Sequence, residues 1–313
     1  MKRVLISCLH LQRTIERYLP LFMENDISID LPVVNQKLTE GELLEIIQNY
    51  DGMIAGDDEL TEKVLAKAHN LKIISKWGVG IDGIDLSAAN KYGISVMNTP
   101  NVFNDEVADL TIGYIIALTR KIWVIDKMVR KGEWNAAQLQ GTSLRGKTLG
   151  VIGVGNIGKG VCRRAKAMGM NMFGYDIYPI SEEFKQETGL VQTSLKDLLE
   201  NSDVISLHCN LTKENYHLLG KSEFESMKNQ VYIVNTARGP LINEKVLSDY
   251  LENGKVAGAA LDVFEEEPLP LDSQLRKYDN CIFGAHNSSN TIEAVIRVNE
   301  QAISNLLIGL GQK

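Results

Sequence analysis

One histidine stands out among the five in this chain of 313 residues. His286 follows the short apolar run Cys281–Phe283 and sits in a loop rich in Ser and Asn, FGAHNSSNT. An imidazole with its ordinary pKa of ~6.5 can take and give a proton near neutrality. Two other segments place a charge just past an apolar run. VYIVNTARGPLINE sets Arg238 ahead of Gly239-Pro240, and AALDVFEEEP sets Asp262 at the end of a run and Glu267 directly before Pro268. In open parallel sheets, ligands bind beyond the carboxyl ends of the strands, so an imidazole, an acid and a cation at such positions could share one site. Taken singly, each is ordinary: an arginine is usually a surface residue, and an acidic run such as Glu265–Glu267 is usually a solvated loop. His10, His69 and His217 fall on helical or loop patterns and read as surface residues. His208 ends the run Val204–Leu207, where a place near a ligand and a packing role are equally open.

The richest stretch is KTLGVIGVGNIGKGVCRRAKAMGMNMFGYD, residues 147–176. Gly153, Gly155 and Gly158 follow a strand pattern and open a helix pattern, and a second strand pattern ends in Asp176, 21 residues past Gly155. That context marks a dinucleotide-binding turn. Gly153 permits the tight turn, Gly155 lets backbone approach a pyrophosphate at the positive end of the helix, and Gly158 lets the helix pack close. The Asp176 carboxylate would accept hydrogen bonds from a ribose diol and repel a 2′-phosphate. Ile177 and Tyr178 offer no offsetting cation, so the pattern favours NAD over NADP. The competing reading is a flavodoxin-like turn whose glycines serve packing only; the agreement of strand, helix, spacing and acid weighs against it.

Elements to carry these residues alternate along the whole chain. Val4–Ser7, Met53–Ala55, Ile73–Ser75 and Ile94–Met97 read as buried strands, separated by helical patterns over Leu11–Glu24, Glu42–Asn49 and Glu62–Ala68 with Thr39 and Thr61 as N-caps. One long helix is predicted from Asn104 to Lys131, with Val107, Leu110, Ile115, Leu118, Ile122 and Ile125 as its apolar stripe, ending at Gly132. Strands then recur at Thr148–Ile152, Met172–Tyr175, Val204–Leu207, Tyr232–Asn235, Ala257–Leu261 and Cys281–Phe283. Helical patterns at Ile157–Met168, Leu195–Leu199, Lys221–Met227 and Glu244–Asn253 separate them. The fold class is α/β, two doubly wound parallel-sheet domains, with the last helix, Ile292–Ile308, expected to return to the first.

Composition narrows the function. Charged residues are 23% and hydrophobic residues 44%, ordinary globular usage. With 33 basic and 40 acidic residues the net charge is −7, and no basic stripe offers itself to nucleic acid. Cys8, Cys162, Cys209 and Cys281 lie far apart with no C-x-x-C, which argues against a zinc knuckle, a disulfide framework or a thioredoxin-like motif, so no metal is expected. The apolar stretch at the N-terminus is too short for a secretory signal, and the run Ile112–Leu118 is far below the ~18 residues that span a bilayer. The expectation is a soluble, cytoplasmic protein with no membrane partner.

Ordered motifs over nearly the whole length give a specific likeness. SKWGVGIDGIDL (75–86), VMNTP (96–100), the nucleotide fingerprint, NTARG (235–239), ALDVFEEEP (260–268) and the His286 loop resemble the D-isomer-specific 2-hydroxyacid dehydrogenases, above all their short phosphoglycerate dehydrogenase-like branch. The resemblance implies that Arg238, Glu267 and His286 are the catalytic set and that NAD is the cofactor. It implies a Rossmann-type nucleotide domain over residues 100–286, inserted into a flavodoxin-like substrate domain over 1–99 and 287–313, and a homodimer. Backbone amides of the Gly78–Gly80 turn would hold the substrate carboxylate. Nucleotide contacts would fall on Val79, Asn156, Ile157, Asp176, Cys209, Thr236 and Asp262 beside the three glycines.

In that chemistry His286 would exchange the hydroxyl proton, Glu267 would fix its tautomer and favour the imidazolium, and Arg238 would grip the carboxylate and polarise the carbonyl. Asp262 would orient the nicotinamide carboxamide, or serve as a structural carboxylate. Two departures bear on the substrate. The family commonly reads P-H-[IL]-[GA] at the histidine, where this chain has Ala285-His286-Asn287-Ser288. Phosphoglycerate dehydrogenases commonly place a basic residue after the strand Met53–Ala55, where this chain has Gly56-Asp57-Asp58. Lys76 is left as a partner for a phosphate or second acid, against the bland reading of a solvated lysine. Phosphoglycerate and related small 2-hydroxy or 2-keto acids all stay open as substrates. No regulatory domain follows residue 313, so feedback by serine is not expected. The rival reading is an NAD(H)-sensing scaffold, as in the corepressor relatives of this fold, whose turnover is incidental.

Overall fold

The computed structural model describes residues 1–134 and 139–312. The chain divides into two units, Met1–Val102 with the chain from Asn290 on, and Phe103–Ser289.

The first unit holds a five-stranded parallel sheet of β1 (Lys2–Ile6), β2 (Ile27–Asp30), β3 (Gly52–Ala55), β4 (Ile73–Lys76) and β5 (Ser95–Met97), in the order β2-β1-β3-β4-β5. That is the flavodoxin-like order, with its switch point between β1 and β3. Leu5, Met53 and Ile74 bury one face of the sheet with Leu43, Val64 and Leu65 from the covering helices. The helix Ile292–Gly309 belongs to this unit and packs on β3 and β4, where the Ser75 hydroxyl donates to the Ala302 carbonyl at 2.7 Å.

The second unit is a seven-stranded parallel sheet of β6 (Thr148–Ile152), β7 (Asn171–Tyr175), β8 (Val191–Gln192), β9 (Val204–Leu207), β10 (Val231–Asn235), β11 (Val256–Leu261) and β12 (Cys281–Phe283). Their order, β12-β11-β10-β9-β6-β7-β8, is the Rossmann arrangement extended by one strand. Side chains alternate between two cores, as strands buried on both faces require. Ile205, Ile233 and Ala259 face Leu198, Phe224 and Leu247, while Val204, Val234 and Ala260 face Ile112, Ile115 and Val161.

Three local expectations fail for identifiable reasons. The long helix is two, Asn104–Arg120 and Ile122–Arg130, because Lys121 takes a left-handed conformation with φ 53°. The Thr119 carbonyl, which a continuing helix would use, instead accepts from the Thr142 amide at 2.7 Å. The Leu11–Glu24 pattern breaks into Leu9–Gln12, Ile15–Arg17 and Leu19–Glu24, with the Thr14 hydroxyl turned back on the His10 carbonyl at 3.1 Å. Strands β2 and β8 carry no sequence signal, because each is a short edge strand without an apolar run. Of the two expected N-caps, Thr39 forms a capping box with Glu42, whereas the Thr61 hydroxyl donates to Glu40 Oε2 at 2.6 Å instead of capping its helix.

Candidate active site

Strands β10, β11 and β12 are neighbours, and the chain leaving each at its carboxyl end carries Arg238, Glu267 and His286 in turn. His286 Nδ1 lies 2.7 Å from Glu267 Oε2. The other carboxylate oxygen of Glu267 accepts from the Phe264 amide at 3.0 Å, so the acid is held from behind. The pair is partly open to solvent, at 31% and 24% side-chain exposure. Arg238 is also half-buried. Its carbonyl accepts from Asn235 Nδ2 at 2.8 Å and its Nη1 donates to the Ala237 carbonyl at 2.7 Å. The next residue must be glycine, since a Cβ at Gly239 would stand 1.8 Å from the Phe264 carbonyl carbon. This close approach brings the Arg238 turn against the segment that leads to Glu267.

Asp262 is fully buried and organises the loop that presents His286. Its carboxylate accepts from the Ser288 amide at 2.9 Å, the Ser288 hydroxyl, the Asn287 amide at 3.3 Å and the Tyr114 hydroxyl at 3.4 Å, while its carbonyl accepts from the His286 amide at 2.7 Å. Burial, and then the Asp262 charge, push the Tyr114 phenol above its usual value. A Cβ at Gly284 would fall 1.9 Å from Asp262 Oδ1, so only glycine fits there. Tyr114, Gly284 and Ser288 escaped sequence reasoning because nothing in their spacing points to Asp262.

The nucleotide turn follows β6. Gly153 has φ 90°, and a Cβ on it would meet the Cys209 amide nitrogen at 2.5 Å. A Cβ on Gly158 would meet the Gly153 carbonyl oxygen at 2.2 Å, whereas one on Gly155 would meet nothing within 4 Å. Gly155 and Asn156 are exposed at the start of the helix Asn156–Ala167, with Ile157 half-buried beside them. Open space beside a helix N-terminus is what a pyrophosphate needs. Asp176, at the end of β7, accepts from the Val154 amide at 2.7 Å and the Tyr178 amide at 3.0 Å, which fixes its carboxylate at the place a ribose would occupy. Thr236 Oγ1 lies 3.1 Å from Thr111 Oγ1 and 3.5 Å from His208 Nδ1. His208 also bonds Ser206, and burial lowers its pKa, so the ring is neutral near pH 7. Burial raises the Cys209 thiol to about 11, which keeps it protonated. The residues present therefore fit a dinucleotide.

Lys76, Gly78, Val79 and Gly80 belong to the first unit, where the chain turns after β4. The Gly78 amide donates to Thr99 Oγ1 at 2.9 Å, and Asn98 Nδ2 donates to the Val79 carbonyl at 2.7 Å. Lys76 is not the solvated lysine of the bland reading: it is 5% exposed, with Nζ 3.1 Å from Asp57 Oδ1 and 2.7 Å from the Trp77 carbonyl. Two histidines read as surface residues are also engaged. His10 stacks on Trp77 with ring centroids 4.6 Å apart. His217 lies 3.1 Å from Glu265 Oε2 and bonds Asn243. Among the described residues no His/Cys/Asp/Glu group could hold a metal ion.

The family described as "D-isomer specific 2-hydroxyacid dehydrogenase, NAD binding domain" matches residues 112–288. The chain belongs to this family. As a D-2-hydroxyacid dehydrogenase it is an NAD-dependent oxidoreductase acting on CH–OH groups, and its second unit is the NAD-binding domain. A glyoxylate reductase of Thermofilum pendens is 42% identical over 274 residues, 85% of this chain and 80% of that protein. A D-3-phosphoglycerate dehydrogenase of Methanocaldococcus jannaschii is 43% identical over 82% of this chain, which spans 49% of that relative. The D-lactate dehydrogenase of Aquifex aeolicus, solved with NAD and lactic acid, superposes with a TM-score of 0.86 at 30% identity, covering 99% of this chain and 96% of that one. No helix among the described residues is long and apolar enough to cross a membrane.

Proposed function

We propose that the protein is a reductase of a small 2-keto acid, and in reverse a dehydrogenase of the D-2-hydroxy acid, with His286 as the proton carrier. The observation that carries this is the 2.7 Å contact of His286 Nδ1 with a Glu267 carboxylate itself fixed by the Phe264 amide. Nδ1 faces Glu267, so in this reading Nε2 is the nitrogen that meets substrate. Reduced nicotinamide, when bound, supplies the hydride. His286 Nε2 then gives its proton to the substrate oxygen, and Glu267 stabilises the imidazolium that precedes this transfer and follows the reverse one. Arg238 bonds the carboxylate and the keto oxygen, an interaction that strengthens as negative charge grows there. The Val79 and Gly80 amides meet the carboxylate, since that of Gly78 is already given to Thr99. Asp262 holds the loop of His286 in register, and Asp176 holds the ribose of NAD.

The working unit is a homodimer in the cytoplasm. The helix Ile122–Arg130 supports the dimer: it carries Ile122, Trp123, Val124, Ile125, Met128 and Val129, yet buries none of its residues. Four free cysteines accord with a reducing compartment. Purified His286→Ala tests the mechanism with NADH and glyoxylate, pyruvate or hydroxypyruvate, followed at 340 nm. Turnover is expected to fall by about a thousandfold or more, within the ~10²–10⁴ typical of a lost general acid, with NADH affinity kept. Loss of NADH binding would make His286 structural. NADH binding with no reduction of any small keto acid by the wild type would favour the NAD(H)-sensing scaffold.

A further inference from the structure

Arg238 and Glu267 stand on separate turns of the second unit, and a third segment of the same unit is bonded to both turns. That segment, residues 208–220, runs from the end of β9 to the helix Lys221–Ser226. Its Leu219 amide donates to the Leu241 carbonyl at 3.0 Å, and its His217 amide donates to the Pro240 carbonyl at 2.8 Å, just past Arg238. The His217 ring reaches the other turn, where Nε2 lies 3.1 Å from Glu265 Oε2, just ahead of Glu267. One residue thus touches the flank of the cation and the flank of the acid.

The bonds around that ring leave it a single arrangement. Asn243 caps the helix Glu244–Glu252, and its Oδ1 accepts from the Val246 amide at 3.1 Å. Its Nδ2 is therefore the atom that meets His217 Nδ1, at 3.1 Å, and a donor there requires Nδ1 to accept. The ring proton then sits on Nε2 and is donated to Glu265 Oε2. Glu265 Oε1 accepts from the Glu244 amide at 2.7 Å, and Glu244 Oε1 accepts in return from the Glu265 amide at 2.6 Å. Helix cap, imidazole and two glutamates form one chain of bonds. It ends on the residue after Phe264, whose own amide holds Glu267 Oε1.

Packing alone does not account for this set. His217 takes a left-handed φ of 55°, which few non-glycine residues adopt and which persists only where the surroundings impose it. Burial pushes the Glu244 carboxyl up, and the charges of Glu265 and Glu267 add to this against the pull of the Glu265 amide. A solvated acidic loop would keep its carboxylates apart. A strained backbone and crowded like charges beside the acid/base pair mark a place held for its geometry.

We propose that His217 is a positioning residue: through Pro240 and Glu265 it clamps the Arg238 turn to the segment of Glu267, and so sets how closely Glu267 meets His286. This deepens the 2-ketoacid reductase reading above and rests on it. The contact of Glu267 with His286 is 2.7 Å, and a charge-assisted hydrogen bond of that length weakens steeply when one partner is displaced or tilted.

The test compares His217→Ala with His217→Gln in the full chain, with NADH and the keto acid that the wild type reduces best. Both variants carry the same left-handed backbone, so the difference between them isolates the donated bond: glutamine offers an amide donor to Glu265 and alanine offers none. In His217→Ala, kcat/KM is expected to fall about tenfold, and at most by the ~10² that a misplacement remote from the chemistry can cause. The pH above which reduction declines should move downward, because a looser Glu267 favours the His286 imidazolium less. NADH affinity, read by fluorescence titration, should stay unchanged. His217→Gln should recover most of the rate and the wild-type profile. Wild-type kinetics in His217→Ala would overturn the proposal. So would an equal loss in both variants, or a loss with an unshifted profile, since either makes the ring mere packing. If His217→Ala does not fold, nitrogen NMR of the histidine rings in the wild type decides: a proton on Nε2 of His217 is expected, and one on Nδ1 would break the chain of bonds. All these outcomes leave the wild type a reductase. A wild type that reduces no small keto acid would bring down that reading and this inference together.

Discussion

Replacing Glu267 by Gln removes one negative charge 2.7 Å from His286 Nδ1 and nearly preserves the shape of the side chain. Coulomb attraction across about 4 Å is worth about 4 kcal/mol at the effective dielectric near a protein surface. The side chains here are 24% and 31% exposed, so water screens part of this and the figure is an upper bound. A hydrogen bond to a charged group contributes about 1.5–3 kcal/mol against about 1 for a neutral one. A loss of about 2 kcal/mol from the state in which His286 is an imidazolium is therefore expected, or about thirtyfold in kcat/KM at about 1.4 kcal/mol per decade. The assay is NADH consumption at 340 nm over a range of pH with the best keto acid, alongside fluorescence titration of NADH. In the variant the imidazolium is less favoured, so the pH above which reduction declines should move downward. A variant that keeps wild-type kcat/KM and an unshifted profile would refute the pairing of acid and base, and a parallel loss of NADH affinity would recast Glu267 as structural.

The remaining expectations concern the neighbours of that pair. Arg238→Ala should raise KM for the keto acid and lower kcat together, each about tenfold or more, because the guanidinium acts in binding and in the transition state; unaltered kinetics would remove it from the site. Asp176→Ala should shrink the preference for NADH over NADPH by about tenfold in kcat/KM, since the repelling carboxylate is gone, and an unchanged ratio would assign ribose reading elsewhere. Gly284→Ala forces a methyl to 1.9 Å from Asp262 Oδ1 and should cost about 1–3 kcal/mol in urea unfolding while displacing the His286 loop and lowering turnover. Unaltered stability and rate in that variant would show that the loop yields freely.

Much of this site lies open in the sequence because each chemical residue follows a buried strand, and buried strands are visible as apolar runs. Val231–Asn235 leads to Arg238, Val256–Leu261 to Asp262 and Glu267, and Cys281–Phe283 to His286. The glycine turn is legible for the same reason, with a strand on each side. What stays hidden depends on contacts between distant residues. The burial of Lys76 follows from the register that sets Ala55 opposite it and so brings Asp57 within reach, which no local pattern announces. Tyr114 and Ser288 meet Asp262 only once three segments have folded together. The break at Lys121 has no Gly or Pro to mark it; it comes from a carbonyl taken by a later segment.

Arg238, Glu267, His286, the glycine turn and Asp176 all belong to one unbroken stretch of chain, Phe103–Ser289, whereas Lys76 and its cluster come from the flanking segments. The nucleotide turn and the proposed proton carrier are thus written in one passage of the gene, and the Lys76 cluster in another. A chimera that joins this inner stretch to a relative's outer segments would therefore carry over the whole NAD-binding unit, glycine turn, Asp176 and the His286–Glu267 pair together.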